Sequence, residues 1–166
     1  MAENTNGAAN GQANPEQGQA QLSLQRVYVK DVSFEAPGAP QIFQQQGQPN
    51  VELNLSQRVA SVGTDLFEVV LSVTATCKVE DKTAYLAEVH QAGIFGLSGF
   101  DAQGREAVLA TYCPNVLFPY ARQIVSDLVQ NGGFPPFFLQ PINFDALYAE
   151  QQRRRADAGA DQAANA

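Results

Sequence analysis

Tryptophan is absent from the 166 residues, histidine and methionine occur once each, and there are only two cysteines. So thin a set of soft ligands builds no zinc constellation, because such sites draw on closely spaced Cys and His pairs. Cys77 and Cys113 stand far apart and outside any CxxC pattern. A domain of this length does not need them as a staple, so a reduced, cytoplasmic protein is expected. Long apolar runs are missing as well. None approaches the ~20 residues that span a bilayer, and Met1 is followed by neutral and acidic residues without the basic and apolar regions of a signal peptide. Neither export nor membrane insertion is expected. Positive charge is scarce: 10 Lys and Arg against 17 Asp and Glu leave a net charge of −7. That balance repels phosphate backbones and anionic lipid and lacks the clustered basic footprint of a nucleic-acid binder. The basic run Arg153 to Arg155 reads as a solvated helix end favoured by the helix dipole and is assigned no role.

Between two low-complexity ends lies one region of mixed apolar and polar sequence. Residues 1–21 are nearly all Ala, Asn, Gln, Gly and Glu, with no aromatic side chain to bury, and residues 153–166 are similarly poor. Neither stretch can offset the entropy of ordering, so both are expected to be disordered arms around a single folded domain over residues 22–152.

Inside that domain, Phe67, Val69, Leu71, Val73, Ala75, Cys77 and Val79 recur at every second position, the pattern of a strand with one buried face. After a turn at Glu80-Asp81-Lys82, the segment Thr83 to Gln91 alternates again, with Tyr85, Ala87, Val89 and Gln91 on one face and Leu86, Glu88 and His90 on the other. The two read as an antiparallel hairpin. Leu22–Val32 and Val51–Leu55 are shorter strand candidates, and Pro37, Pro40 and Pro49 make residues 33–50 a long crossing connection. Beyond Gly104 the period becomes helical: Leu117, Ala121, Ile124 and Leu128 share a stripe, Asn131-Gly132-Gly133 is a stop signal, and Pro114 and Pro119 kink the first half. Residues 134–142 hold three prolines and three phenylalanines, too rigid for a helix and too apolar for an ordinary loop. Asn143 is an N-cap candidate for a short last helix carrying Phe144, Leu147, Tyr148 and Gln151 on one face. The class is α+β, with an antiparallel sheet first and helices after it.

Catalytic groupings are not legible. His90 falls by parity on the polar face of a strand with no serine or carboxylate at motif spacing, and Cys113 before Pro114 reads as a buried apolar residue. Gly93, Gly96 and Gly99 follow a strand but lack the GxGxxG order and a Walker lysine, so a flexible or bulged strand end is expected rather than a phosphate cradle. No metal, cofactor or enzymatic activity is expected.

Four runs carry more specific information: VYVKDVSFEAPGAPQIF (Val27 to Phe43), EVHQAGIF (Glu88 to Phe95), YCPNVLFPYAR (Tyr112 to Arg122) and PINFDALY (Pro141 to Tyr148). Together, and in this order, they resemble the SecB family of bacterial protein-export chaperones. The resemblance implies an antiparallel four-stranded sheet with a long kinked helix and a short C-terminal helix. It implies a homotetramer, a dimer of dimers joined through the long helices, that binds unfolded precursors and hands them to the SecA motor ATPase. Carried over residue by residue, Asp31, Glu35, Leu86 and Glu88 match the family's acidic docking residues for SecA. Ile42, Phe43, Phe134, Phe137, Phe138, Leu139, Phe144, Leu147 and Tyr148 match its apolar client lining. Two positions depart from the pattern: Gly47 stands where a tryptophan is common before Gln-Pro, and His90 where glutamine is common. The rival reading from the residues themselves is a small α+β domain that binds an apolar ligand in a closed pocket, or a cryptic cysteine hydrolase.

Overall fold

The computed structural model describes residues 19–164. Four strands come first, β1 (Gln21–Glu35), β2 (Pro49–Gly63), β3 (Leu66–Val79) and β4 (Lys82–Ser98), followed by α1 (Ala102–Ala110), α2 (Tyr112–Asn131) and α3 (Phe144–Ala164). The strands form one sheet in the order β1-β4-β3-β2, every neighbouring pair antiparallel. The expected α+β class and four-stranded sheet are therefore present. Parity decides the faces of the central hairpin: Val69, Leu71, Val73, Ala75 and Cys77 on β3 and Tyr85, Ala87 and Val89 on β4 are buried against the helices. The turn is tighter than expected, because Lys82 already pairs with Val79 and Glu80 takes the left-handed conformation with φ 56°.

The outer strands are longer than the alternation suggested. β1 runs on through Ser33, Phe34 and Glu35, and β2 extends from Val51–Leu55 to Pro49–Gly63. Edge strands leave much of both faces in solvent, so their sequence need not alternate to pair. Only Val51 and Leu55 on β2 are even half-buried. Pro49 fits at the first position of this edge strand, where a missing N–H costs no ladder bond. The crossing connection is correspondingly shorter, residues 36–48, and carries a 3-10 turn over Gln41–Gln44 that buries Ile42.

β4 does not end in a bulge at its glycines. It pairs through Gly93 and Gly96 to Ser98, and the register shift opposite them falls on β1 between Leu24 and Arg26. A Cβ on Gly93 would lie 2.8 Å from the Phe95 ring and 2.9 Å from Leu117 of α2. Glycine there permits the close approach of helix to sheet.

The long helix is broken at Thr111, between α1 and α2, rather than at a proline. Pro114 lies in the first turn of α2, where its missing N–H is an orphan in any helix, and its ring excludes a helical carbonyl four residues back at Ala110. Pro119 lies inside α2, which stays continuous around it. The buried stripe is Cys113, Leu117, Ala121, Val125 and Val129, flanked by Phe118; Ile124 and Leu128, expected in the stripe, sit half-buried beside it. At the C-terminus Gly132 N–H donates to Leu128 O (2.8 Å) and Gly133 adopts φ 83°, a helix stop that a side chain would strain. Asn143 caps α3, its Oδ1 accepting from Ala146 N–H at 3.0 Å.

The last helix is not short. It covers 21 residues and continues through Arg153–Arg155, which were expected to begin a disordered tail. Alanine and long-chain residues favour the helix, Glu150 pairs with Arg153 and Arg154 (3.0 Å to the latter), and Arg155 reaches Glu106 of α1 at 2.8 Å. Of the expected N-terminal arm, residues 1–18 lie outside the described residues, as do residues 165–166 at the other end.

Candidate functional site

Two surfaces collect the residues singled out above. The first is an aromatic groove of about 610 Å³ where the crossing connection and the Pro-Phe segment lean over one end of the sheet. Ile42, Phe43, Phe134 and Phe137 line it together with Pro49, Val51, Cys77, Val79, Tyr85 and the edge of Gly47. Phe134 is its hinge, with ring centroids 5.1 Å from Phe43, 4.9 Å from Tyr85 and 6.4 Å from Phe34. Phe43 is 51% exposed while Ile42, one residue earlier, is 5% exposed, so the 3-10 turn plants one side chain and presents the next. Burial raises the Tyr85 hydroxyl and the Cys77 thiol of the floor above their ordinary pKa ranges, so both are neutral.

The remaining members of the apolar set are distributed. Leu147 and Tyr148, with Phe144 at the base, line a second depression of about 270 Å³ between α3 and β2 that also includes Leu55 and Leu71. Leu139 and Phe144 are buried, the latter edge-on to Phe118 at 6.0 Å, so they support the surface from beneath. Phe138 is 63% exposed and lines neither depression. Sequence reading missed Tyr85, Cys77 and Val51 as groove residues. Their inward parity was visible, but nothing in the sequence said which end of the sheet the connection would cross. A side chain at Gly47 would begin 2.9 Å from Val79 and 3.0 Å from Glu80, against the hairpin turn.

The second surface is the outer face of the sheet. The β1–β4 register sets Asp31 opposite His90, Ser33 opposite Glu88 and Glu35 opposite Leu86, and opposed residues of an antiparallel pair share a face. Asp31, Glu35, Leu86 and Glu88 are thus on one side, away from α2, with Leu86 half-buried and Asp31 and Glu35 exposed. A register shift between Val29 and Asp31 makes this possible, since without it β1 parity would turn Asp31 inward. Glu88 Oε2 accepts from the Thr74 hydroxyl at 2.9 Å and Oε1 lies 3.1 Å from His90 Nε2. These bonds, the threonine's first, hold the carboxyl below its usual pKa. Nearby, Lys30 pairs with Glu68 at 2.7 Å and Tyr28 also donates to Glu68, which holds that carboxyl low as well. Strand parity already sets His90 beside Leu86 and Glu88, and Glu68 on the polar side of β3; what spacing does not show is that Asp31 lies opposite His90 and that Tyr28 and Lys30 of β1 bond to Glu68.

The hydrolase reading fails on geometry. Cys113 is fully buried in α2 on the inner side, its thiol pushed up to about 12 by desolvation, whereas His90 lies on the outer side of the sheet. Asp31, Glu88 and His90 are the one group of metal-ligating types that converges among the described residues, their ligand atoms within 4.8 Å of one another. Among those residues no helix is long and apolar enough to cross a membrane.

An α+β domain with an open aromatic groove on one side of its sheet and a carboxylate-bearing face with an apolar residue at one end on the other presents two surfaces of the kind that bind other molecules. The family model described as preprotein translocase subunit SecB matches residues 15–155. The protein-export protein SecB of Stenotrophomonas maltophilia is 59% identical over 138 residues, covering 83% of this chain and 80% of that protein. The SecB of Xylella fastidiosa is 58% identical over 135 residues, covering 81% and 78%. Among solved structures, a Mycobacterium tuberculosis SecB-like chaperone in complex with an antitoxin peptide superposes with a TM-score of 0.63 at 20% identity, over 74% of this chain and 91% of that one, which shows the shared fold. The chain belongs to the SecB family: it is a protein-export chaperone and performs no chemistry of its own.

Proposed function

We propose that this chaperone works in the cytosol as a homotetramer, holds unfolded precursors in the aromatic groove and along the α3–β2 depression, and passes them to the SecA motor through Asp31, Glu35, Leu86 and Glu88. The observation that carries the reading is the separation of the two surfaces by the thickness of the sheet: the groove is built on inward-facing Tyr85 and Cys77, the docking set on outward-facing Leu86 and Glu88. A carrier needs that separation, because it must keep its client while a second partner docks. Open aromatic surface suits extended polypeptide of many sequences, since rings bury large apolar area without a fixed hydrogen-bond code. The carboxylates of this face, with Leu86 beside Glu35 at one end of the set, suit a basic partner with an apolar contact.

Assembly is supported by a third region. Leu24, Val29 and Val32 on β1 and Tyr112 and Tyr120 on α2 are all exposed in the single chain. Beside them Gln91 is 1% exposed, its amide nitrogen donating to Tyr28 O at 2.9 Å and its Oε1 without a partner. Uncovered apolar surface next to an orphaned acceptor fits a self-contact. Native mass spectrometry should give four times the 17.9 kDa chain; a monomer at micromolar concentration would remove the tetramer. Docking is tested by titrating wild-type and Glu88→Lys protein with SecA and with an unfolded precursor. Loss of SecA affinity with client affinity retained is the expected result. Equal SecA affinity in the two proteins, or parallel loss of both ligands, would overturn the two-surface reading.

A further inference from the structure

His90 stands among the carboxylates of the outer face. Its Nε2 lies 3.1 Å from Glu88 Oε1 on the same strand. Asp31 is its cross-strand neighbour on β1, and the three side chains bring a ligand-type atom each within 4.8 Å. From β3 the residue opposite is Ser72, uncharged. The other charged groups of this part of the face are Lys30 and Glu68, bonded to each other at 2.7 Å with Tyr28 donating to the same carboxylate, and Arg58 on β2, opposite Val70, whose charge also acts on Glu68. The sheet itself separates the imidazole from α2. Its charged neighbours are therefore Glu88 and Asp31, both acidic, and Glu88 is additionally held by Thr74.

We infer that His90 is a further specificity-determining residue of the docking face, and that its protonation sets how much negative charge this face shows a basic partner. The inference rests on the docking assignment of Asp31, Glu35, Leu86 and Glu88. A neutral imidazole leaves the carboxylate charges to the partner. An imidazolium at hydrogen-bond distance sits inside the same field and cancels part of it, most strongly for a cation approaching Glu88. Histidine is the side chain whose charge changes between ~pH 5 and 8. Docking then tightens as pH rises through that interval and loosens as it falls, while the groove across the sheet does not respond.

The test measures SecA affinity of the full chain by titration calorimetry at about pH 5.5 and about pH 8 for wild-type, His90→Gln and Glu88→Lys proteins, with an unfolded precursor as the second ligand. Wild-type affinity for SecA should fall about three- to tenfold from the higher to the lower pH, and that of His90→Gln by less than about twofold, since glutamine keeps a polar side chain that does not titrate. The same pH slope in wild-type and His90→Gln proteins overturns the inference, because the titrating group is then elsewhere. A wild-type slope shared by precursor binding also overturns it, by assigning His90 to general stability. Unchanged SecA affinity in Glu88→Lys instead overturns the docking assignment beneath it.

Discussion

The two faces of the β3–β4 hairpin are built by the same backbone from adjacent residues, yet they have opposite character. Inward, Val73, Ala75, Val89 and Ala87 are fully buried beneath α2. Outward, Thr74, Leu86, Glu88 and His90 keep contact with solvent and with one another. Because side chains alternate at period two, the sheet acts as an insulating layer between a packed side that organises the groove and a polar side free to vary. The contrast is not absolute: Val70 is 2% exposed although it points outward, lying in register with Ala92 and Arg58.

Breaking the inner face should have the largest effect. Leu117 is fully buried over Gly93, so Leu117→Ala should cost about 2–5 kcal/mol of stability. Denaturant unfolding of the protein should show it, with client and partner binding lost together once the fold is compromised. Breaking the outer face should be selective, as stated for Glu88→Lys, with SecA affinity down by about tenfold or more and thermal stability nearly unchanged. Trimming the groove comes next. Burying a phenylalanine side chain contributes ~1.5–3 kcal/mol, so Phe137→Ala combined with Phe138→Ala should weaken binding of an unfolded precursor several-fold without shifting SecA affinity. Since Phe138 lines neither depression, Phe137→Ala should account for most of that loss. Unaltered client affinity in a double variant that keeps the wild-type native mass would place both rings outside the groove's function.

The smallest expected effect sharpens the electrostatics. The Thr74 hydroxyl holds the Glu88 carboxyl low, so Thr74→Ala should raise that pKa, read by carboxyl NMR titration. A depressed carboxyl stabilises the fold at and above its unfolded value of ~4.3 and ceases to do so as pH falls through the folded pKa. The variant should therefore lose slightly at neutral pH and converge with wild type in acid. A stability gap that widens in acid would reverse the assignment.

What the sequence determined was whatever depends on local period and local backbone chemistry. The buried faces of β3 and β4, the glycine stop after Asn131, the Asn143 cap and the inert Cys113 all follow from spacing of apolar residues or from backbone constraints of glycine and asparagine. The family followed from four long runs whose order is itself information. What only the tertiary structure decided depends on pairing between distant segments. Period two puts Asp31 on a face only once the register shift after Val29 is known, and a shift of one residue turns every later side chain over. The lengths of β1 and β2 were set by partners rather than by their own alternation. The groove was assembled by a connection that had to cross the sheet from β1 at one edge to β2 at the other, bringing Phe43 onto Phe134 and Tyr85. The extent of α3 was decided partly by Glu106, 49 residues away from Arg155, a contact no local window contains.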